Sequence, residues 1–154
     1  MRRLLVTTGV ALMLLAPTAC GDRDRGGEPG GRDADAVASA ADTSICVEDA
    51  TRVTSTPAGY PTDFPLPRGT VLFHVEDRGE DGVVATGVTA TPFDRVLEAM
   101  NASQRSGFRV TSGETEEDDA EADWTGHGFV GRWAIKKSAT CPGETVIQLL
   151  SKRA

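Results

Sequence analysis

The sequence lacks the features on which several functional classes depend. It has 16 Lys and Arg against 23 Asp and Glu, a net charge of −7, so the clustered basic side chains that bind nucleic acid are not expected. The same deficit disfavours a domain that lies flat on anionic lipid. The apolar run Leu4–Ala16 has 13 residues, whereas a transmembrane helix needs about 20.

Catalytic signatures are also missing from the sequence. The two histidines are His74, which falls in a predicted strand, and His127, which stands between two glycines in a predicted turn. Neither has a nucleophile or an orienting acid that the sequence can place beside it. The motifs Gly-x-Ser-x-Gly, Ser-x-x-Lys and His-Glu-x-x-His do not occur. We therefore expect no enzymatic activity and no cofactor.

The first twenty residues have the order of a secretory signal. Two arginines precede the apolar run Leu4–Ala16, and small residues follow it up to Cys20. Cys20 resembles the modified cysteine of bacterial lipoproteins. This resemblance implies that residues 1–19 are a signal peptide. It also implies that acyl chains on Cys20 attach the protein to the extracytoplasmic face of the cell membrane, where two chains are enough for a stable anchor. Cleavage near Ala19, which would release a soluble protein, is the alternative.

The segment that follows is predicted to be a tether. Residues 21–42 are rich in Gly, Ala, Asp and Arg, and Val37 is their one bulky apolar residue, so they cannot bury enough apolar surface to offset the entropy of ordering. A flexible linker of 22 residues has an r.m.s. span of about 25 Å, although Ala34–Ala41 could form a helical turn or two. We expect a disordered tether over 20–42 and one folded domain over 43–154.

Two cysteines remain once Cys20 is assigned to the anchor. Cys46 and Cys141 are 95 residues apart, and an even number of cysteines outside the cytoplasm favours a disulfide. A redox or metal-binding role has little support, because the sequence has no Cys-x-x-Cys and no histidine close to either residue.

Periodicity predicts an α+β fold in the domain. Alternating apolar residues predict a hairpin from Thr70–Glu76 and Val83–Ala90. A helix should follow, with Thr91 as the N-cap and Pro92 in its first position. Gly107 is a plausible end of the helix, whose apolar stripe would consist of Phe93, Val96, Leu97 and Met100.

Three further segments complete the predicted sheet. Phe108–Ser112 is predicted as a strand, Trp124–Lys137 as a hairpin and Thr145–Ser151 as the closing strand. The acidic stretch Gly113–Asp123 between them is interpreted as a loop. It is either a solvated charge run, which is the commoner case, or a weak calcium site built from carboxylates.

A proline-rich segment opens the domain. Thr56–Gly69 contains four prolines, which hold it extended or in turns. Tyr60, Phe64 and Leu66 are spaced along it as apolar anchors. The segment is either a ligand for an aromatic groove on a partner or a strap across the domain's own core, and its direct continuation into a strand favours the strap.

The same segment carries a resemblance. Tyr60-Pro61-x-Asp63-Phe64-Pro65-x-Pro67-x-Gly69, followed by a hairpin, a helix and Gly-Phe, resembles a group of small secreted bacterial lipoproteins with a PxDFPxPxG-like opening segment. The resemblance covers most of Pro61–Leu150. It implies an antiparallel sheet with one helix packed on one face, in the order β-β-α-β-β-β. The group has no established activity, so no catalytic residue is implied.

Two functional hypotheses follow from these observations. The first is a non-catalytic binding or accessory module, held at the membrane by its lipid anchor, whose partner is an envelope protein or a cell-wall component. Its contact surface would be the sheet face that the helix leaves uncovered, beside His74. The second is a carrier or sensor of a small ligand or a divalent metal at the cell surface. A large apolar patch would favour the first, and a deep pocket with converging polar groups the second.

Overall fold

The computed structural model describes residues 44–154. The predicted signal peptide, Cys20 and the predicted tether lie outside these residues. Within them, none of the helices has the length and hydropathy that crossing a lipid bilayer requires. The strands and the α-helix are β1 Val71–Asp77, β2 Val83–Thr89, α1 Phe93–Asn101, β3 Arg109–Thr115, β4 Asp119–Gly126, β5 Phe129–Lys137 and β6 Thr145–Arg153. Short 3-10 helices cover Gly79–Asp81 and Ala102–Ser106.

The strands form one antiparallel sheet, in the spatial order β1-β2-β6-β5-β4-β3. After the β1–β2 hairpin, α1 carries the chain to the far edge of the sheet, and β3 to β6 return as a meander that places β6 beside β2. The predicted α+β fold of one sheet and one helix is therefore confirmed. Within the described residues, four strands follow the helix. The strand, hairpin and closing strand predicted from periodicity give this number, whereas the order implied by the resemblance has three.

The loop prediction for the acidic stretch Gly113–Asp123 is wrong, because β3 continues to Thr115 and the predicted hairpin already begins at Asp119. The chain turns at 116–118 between β3 and β4. In β4, Ala120, Ala122 and Trp124 alternate with acidic residues, so the apolar side chains are buried on one face and the carboxylates lie on the other. Gly113 is opposite Ala122, where a Cβ would lie 2.6 Å from the alanine Cβ.

The helix begins one residue later than predicted. Pro92 is the N-cap, and its carbonyl accepts hydrogen bonds from the amides of Arg95 and Val96. Thr91 therefore lies before the cap, where its carbonyl accepts a hydrogen bond of 2.9 Å from Thr145 Oγ1. The α-helix ends at Asn101, earlier than predicted, and Gly107, with φ of 86°, caps the 3-10 helix that follows it.

The main core lies between the sheet and two elements on one of its faces. α1 contributes Phe93, Val96 and Met100, which are buried, and Leu97, which is partly buried. The proline-rich segment, residues 57–69, crosses the same face and is the predicted strap. Its buried anchors are Tyr60 and Phe64, and burial raises the pKa of Tyr60 to about 12.

A pair of cysteines attaches the start of the described residues to the β5–β6 connection. Cys46 and Cys141 have Cα atoms 5.7 Å apart and are bonded through sulfur, which agrees with the predicted pairing. Two hydrogen bonds flank the link: Thr140 Oγ1 donates to the Ser44 carbonyl over 2.9 Å, and the amide of Val47 donates to a Glu144 carboxylate oxygen over 2.8 Å.

Candidate functional site

The sheet has a second face, opposite α1 and the strap. The core side chains Ala85 and Leu149 point towards α1, so their neighbours along β2 and β6 point away from it. Six buried side chains occupy the middle of this second face, which we call the helix-free face: Val84, Thr86, Val88, Ala134, Val146 and Gln148.

The centre of the helix-free face is polar within an apolar surround. Thr86 and Gln148 are direct cross-strand partners, and Gln148 Nε2 donates to Thr86 Oγ1 over 3.4 Å. Gln148 Oε1 is buried without a hydrogen-bond partner among the described residues. Because an unsatisfied buried acceptor costs about 1–3 kcal/mol, a group that supplied a donor here would bind favourably.

The rim of this face is exposed and charged. His74 is the register partner of Thr86 on β1, and Lys136 is the partner of Val146 on β5; both are exposed. The predicted position of His74 beside a sheet face without the helix is thus confirmed. The buried Thr86–Gln148 pair is thus surrounded by apolar side chains, with charged side chains at the rim.

An ionic cluster borders the helix-free face on β4 and β5. Arg132 binds Asp123 through two hydrogen bonds, of 2.8 and 3.1 Å, and Glu121 through one of 2.6 Å. Ser112 donates to the same Asp123 carboxylate over 2.7 Å. Asp118, at the turn, pairs instead with Lys137 over 2.8 Å. Three carboxylates of the acidic stretch are thus paired with two cationic side chains.

Electrostatics keep Asp123 ionised. Partial burial alone would raise the pKa of Asp123, but hydrogen bonds from Arg132 and Ser112 outweigh burial and hold that pKa below its ordinary value of 3.8. Burial likewise opposes the charge on Arg132, and the hydrogen bond to Asp123 nevertheless raises the pKa of the guanidinium. The cluster therefore stays charged and fixed beside the face at neutral pH.

Because of this cluster, we expect the folded domain to lose stability at acidic pH. Because the pKa of Asp123 is lower in the folded state, its stabilising contribution is complete above the unfolded pKa and is lost as the pH falls through the folded value. The thermal midpoint of Asp123→Asn should therefore depend less on pH, below about pH 5, than that of the unmodified protein. Asp119→Asn, a carboxylate on the same strand outside the cluster, is the control. Equal pH slopes for all three proteins would contradict the prediction.

A second polar contact joins the middle of the strap to the β4–β5 turn. His127 Nδ1 is 2.5 Å from Asp63 Oδ2, and the imidazole stacks on Phe108 with ring centroids 4.6 Å apart. His127 has φ of 52° in the β4–β5 turn. Gly107 backs the ring, since a Cβ there would lie 2.3 Å from His127 Nε2. The contact attaches the strap to the turn.

Metal-ligating atoms also meet at the disulfide. The sulfur atoms of Cys46 and Cys141 and a Glu144 carboxylate oxygen all lie within 4.8 Å of one another. Both sulfurs are used by the disulfide, and the carboxylate accepts the Val47 amide. The group therefore closes the loop between residue 46 and the β5–β6 connection.

The structure brings together residues that the sequence does not connect. Of the predicted site residues, Cys46 and Cys141 are joined, His74 and His127 lie on opposite sides of the sheet from each other, and Cys20 lies outside the described residues. The helix-free face was foreseen only through His74. In comparisons with protein-family models, curated proteins and solved structures, nothing matches this chain.

Proposed function

We propose that this chain is a lipid-anchored extracytoplasmic protein whose domain is a non-catalytic binding or accessory module. The observation that carries the proposal is the helix-free face. Val84, Val88 and Val146 lie on the side of the sheet away from the helix-side core. The rim of that side carries the exposed side chains of His74 and Lys136, and a polar rim around an apolar centre suits a protein partner. The partner class that fits is another protein of the cell envelope.

The proposed location rests on two cysteines, Cys20 and Cys46. Cys20 follows a signal-like segment, and acyl chains on it would hold the tether at the membrane. The Cys46–Cys141 pair is consistent with a location outside the cytoplasm, because disulfides persist in oxidising compartments.

The lipid anchor is tested by metabolic labelling with a fatty-acid probe. The full-length protein should be labelled and should partition into detergent, whereas Cys20→Ser should do neither. Val37→Ser, in the tether, is the matched control and should behave as the parent. A labelled Cys20→Ser protein would refute the anchor.

The binding face is tested by photo-crosslinking in the native membrane. A photoreactive residue at His74 or Lys136, on the exposed rim of the helix-free face, should give a discrete crosslink to another protein. The same residue at Arg95 or Glu98, whose side chains on α1 are 74% and 70% exposed, should not. Crosslinks from α1 alone, or equal crosslinks from both sides, would reject this face as the binding surface.

A further inference from the structure

The outer side of β3 is an edge of the sheet without a partner in the described part of the chain. β3 stands last in the strand order, with β4 on one side only. Among the described residues, the backbone of Arg109–Thr115 forms hydrogen bonds only within the β3–β4 ladder. The amide and carbonyl groups that point away from β4 therefore form a template on which another strand can pair.

The opposite edge of the sheet differs, because the segment before the strap occupies part of it. The amide of Val53 donates to the Leu72 carbonyl, in β1, over 2.8 Å. Arg52 Nη2 donates to the carbonyl of Thr70, next to the same strand, over 3.2 Å. Of the two edges, β3 is thus the one that is open along its whole length in residues 44–154.

The two ends of β3 carry opposite charges. Arg105 and Arg109 stand at its start, and Glu114, Glu116 and Glu117 at its end, and all five are exposed. Within the described residues, neither Arg109 nor Glu114 belongs to an ion pair. Charges on an edge strand commonly prevent pairing, but charges in this order oppose only a parallel copy of the strand. An antiparallel copy brings each basic end against an acidic end.

A bulge in β3 determines which register suits these charges. The bulge lies between Val110 and Ser112 and adds one residue to the strand. The β4 partners of Arg109 and Glu114 are four residues apart, so both side chains lie on the same face, although five positions separate them on β3. Because directly opposite side chains of an antiparallel pair share a face, Arg109 of one copy can lie opposite Glu114 of another.

The same register places Val110 of each copy opposite Gly113 of the other, on the helix side of the sheet. An open cavity of about 240 Å³ adjoins Gly113, and its lining includes Val110, Ala122 and Trp133. A Cβ at position 113 would lie 2.6 Å from the Ala122 Cβ, so a side chain at that position cannot fill the cavity. The valine of a second copy would cover it with an apolar group.

We propose that β3 pairs with β3 of a second copy of this chain, antiparallel and about a two-fold axis, with each Arg109 opposite Glu114 of the other copy. The two sheets would then be continuous. Since facing residues keep their faces, α1 would lie on the same side in both copies, and the two helix-free faces would lie side by side. The inference goes beyond the proposed function and does not depend on it, because this pairing needs no envelope partner.

The test is sedimentation equilibrium of residues 20–154 with Cys20→Ser. Concentrations should extend into the millimolar range, because an interface of one strand pair is small and weak in solution. The parent should dimerise. Arg109→Glu and Glu114→Arg should each weaken the dimer by roughly tenfold or more, since the two-fold axis places like charges opposite one another twice. A parent that stays monomeric throughout would overturn the proposal.

Two comparisons test the register and the location of the pairing. An equimolar mixture of Arg109→Glu and Glu114→Arg should recover the parental affinity, because each copy again faces opposite charges. Arg95→Glu, on the exposed side of α1, changes the net charge as Arg109→Glu does and should leave the dimer intact. If only overall repulsion between these acidic chains mattered, Glu114→Arg would associate more tightly than the parent. That result, a mixture that remains monomeric, or an equal loss in Arg95→Glu would reject the proposed pairing.

Discussion

Loss of the disulfide is expected to be among the most damaging changes in this domain. In the double variant Cys46→Ser, Cys141→Ser, the free energy of unfolding should fall by about 4–5 kcal/mol, because the link closes a loop with a sequence separation of 95 residues and the chain-entropy account of crosslinks scales with loop length. A domain of this size has about 5–15 kcal/mol in all. Urea denaturation of residues 20–154 with Cys20→Ser measures the difference.

Two comparisons separate the covalent link from its surroundings. Reduction of the parent by a dithiol should lower its urea midpoint to that of the double variant. Glu144→Gln keeps the disulfide and weakens only the acceptor of the Val47 amide, so its cost should stay near the 0.5–1.5 kcal/mol of one hydrogen bond. If the double variant unfolded at the same urea concentration as the parent, the β5–β6 connection would not depend on the link.

The elements that could be predicted from the sequence are those whose signals are local. β1, β2 and α1 each follow from periodicity over fewer than ten residues. Gly107 ends the helical region because its φ of 86° suits glycine. The N-cap was misplaced by one residue, since Thr91 and Pro92 both satisfy sequence preferences for a helix start. In the structure the Thr91 carbonyl is used by Thr145, on the distant β6.

Which face a strand buries proved harder to predict. All seven residues of β2 are buried, so alternation cannot distinguish Val84 and Val88 from Val83 and Ala85. In β1, an irregularity between Leu72 and His74 shifts the register, so that Leu72 and Val75 pack against the core. Neither effect has a signal in the sequence of the strand itself.

The acidic stretch shows how charge can obscure a strand. Seven carboxylates between Gly113 and Trp124 suggested a solvated loop. The alternation of Ala120, Ala122 and Trp124 with acidic residues was present in the sequence and is the period of a half-buried strand. The position of Arg132 opposite Asp123 could not be predicted, because it depends on the pairing of β5 with β4.

The candidate binding surface depends on strand order, which is a non-local property. β6 lies between β2 and β5, and this placement alone brings Thr86, Gln148 and Ala134 into one row. Likewise, Asp63 and His127 meet only because the strap crosses the sheet to the β4–β5 turn. The sequence indicates this surface only through its single helix, which packs on one face of the sheet.

Phe64→Ala is expected to have the second large effect, because Phe64 is the central anchor of the strap. The side chain is 5% exposed, and its ring centroid lies 5.0 Å from that of Phe108 and 4.9 Å from that of Trp124. Truncation of a buried phenylalanine costs about 3–5 kcal/mol, and both aromatic pairs are lost with it. Urea denaturation gives the free energy, and near-ultraviolet circular dichroism reports the altered packing around Trp124.

The matched comparison is Asp63→Asn, which removes the charge partner of His127 from the adjacent position of the strap. The Asp63 and His127 side chains are 52% and 45% exposed, and an exposed ion pair contributes about 0–1 kcal/mol. The strap should therefore remain in place in Asp63→Asn and detach in Phe64→Ala. If Asp63→Asn were as destabilising as Phe64→Ala, the polar contact at the turn, and not the aromatic cluster, would be what holds the strap across the core.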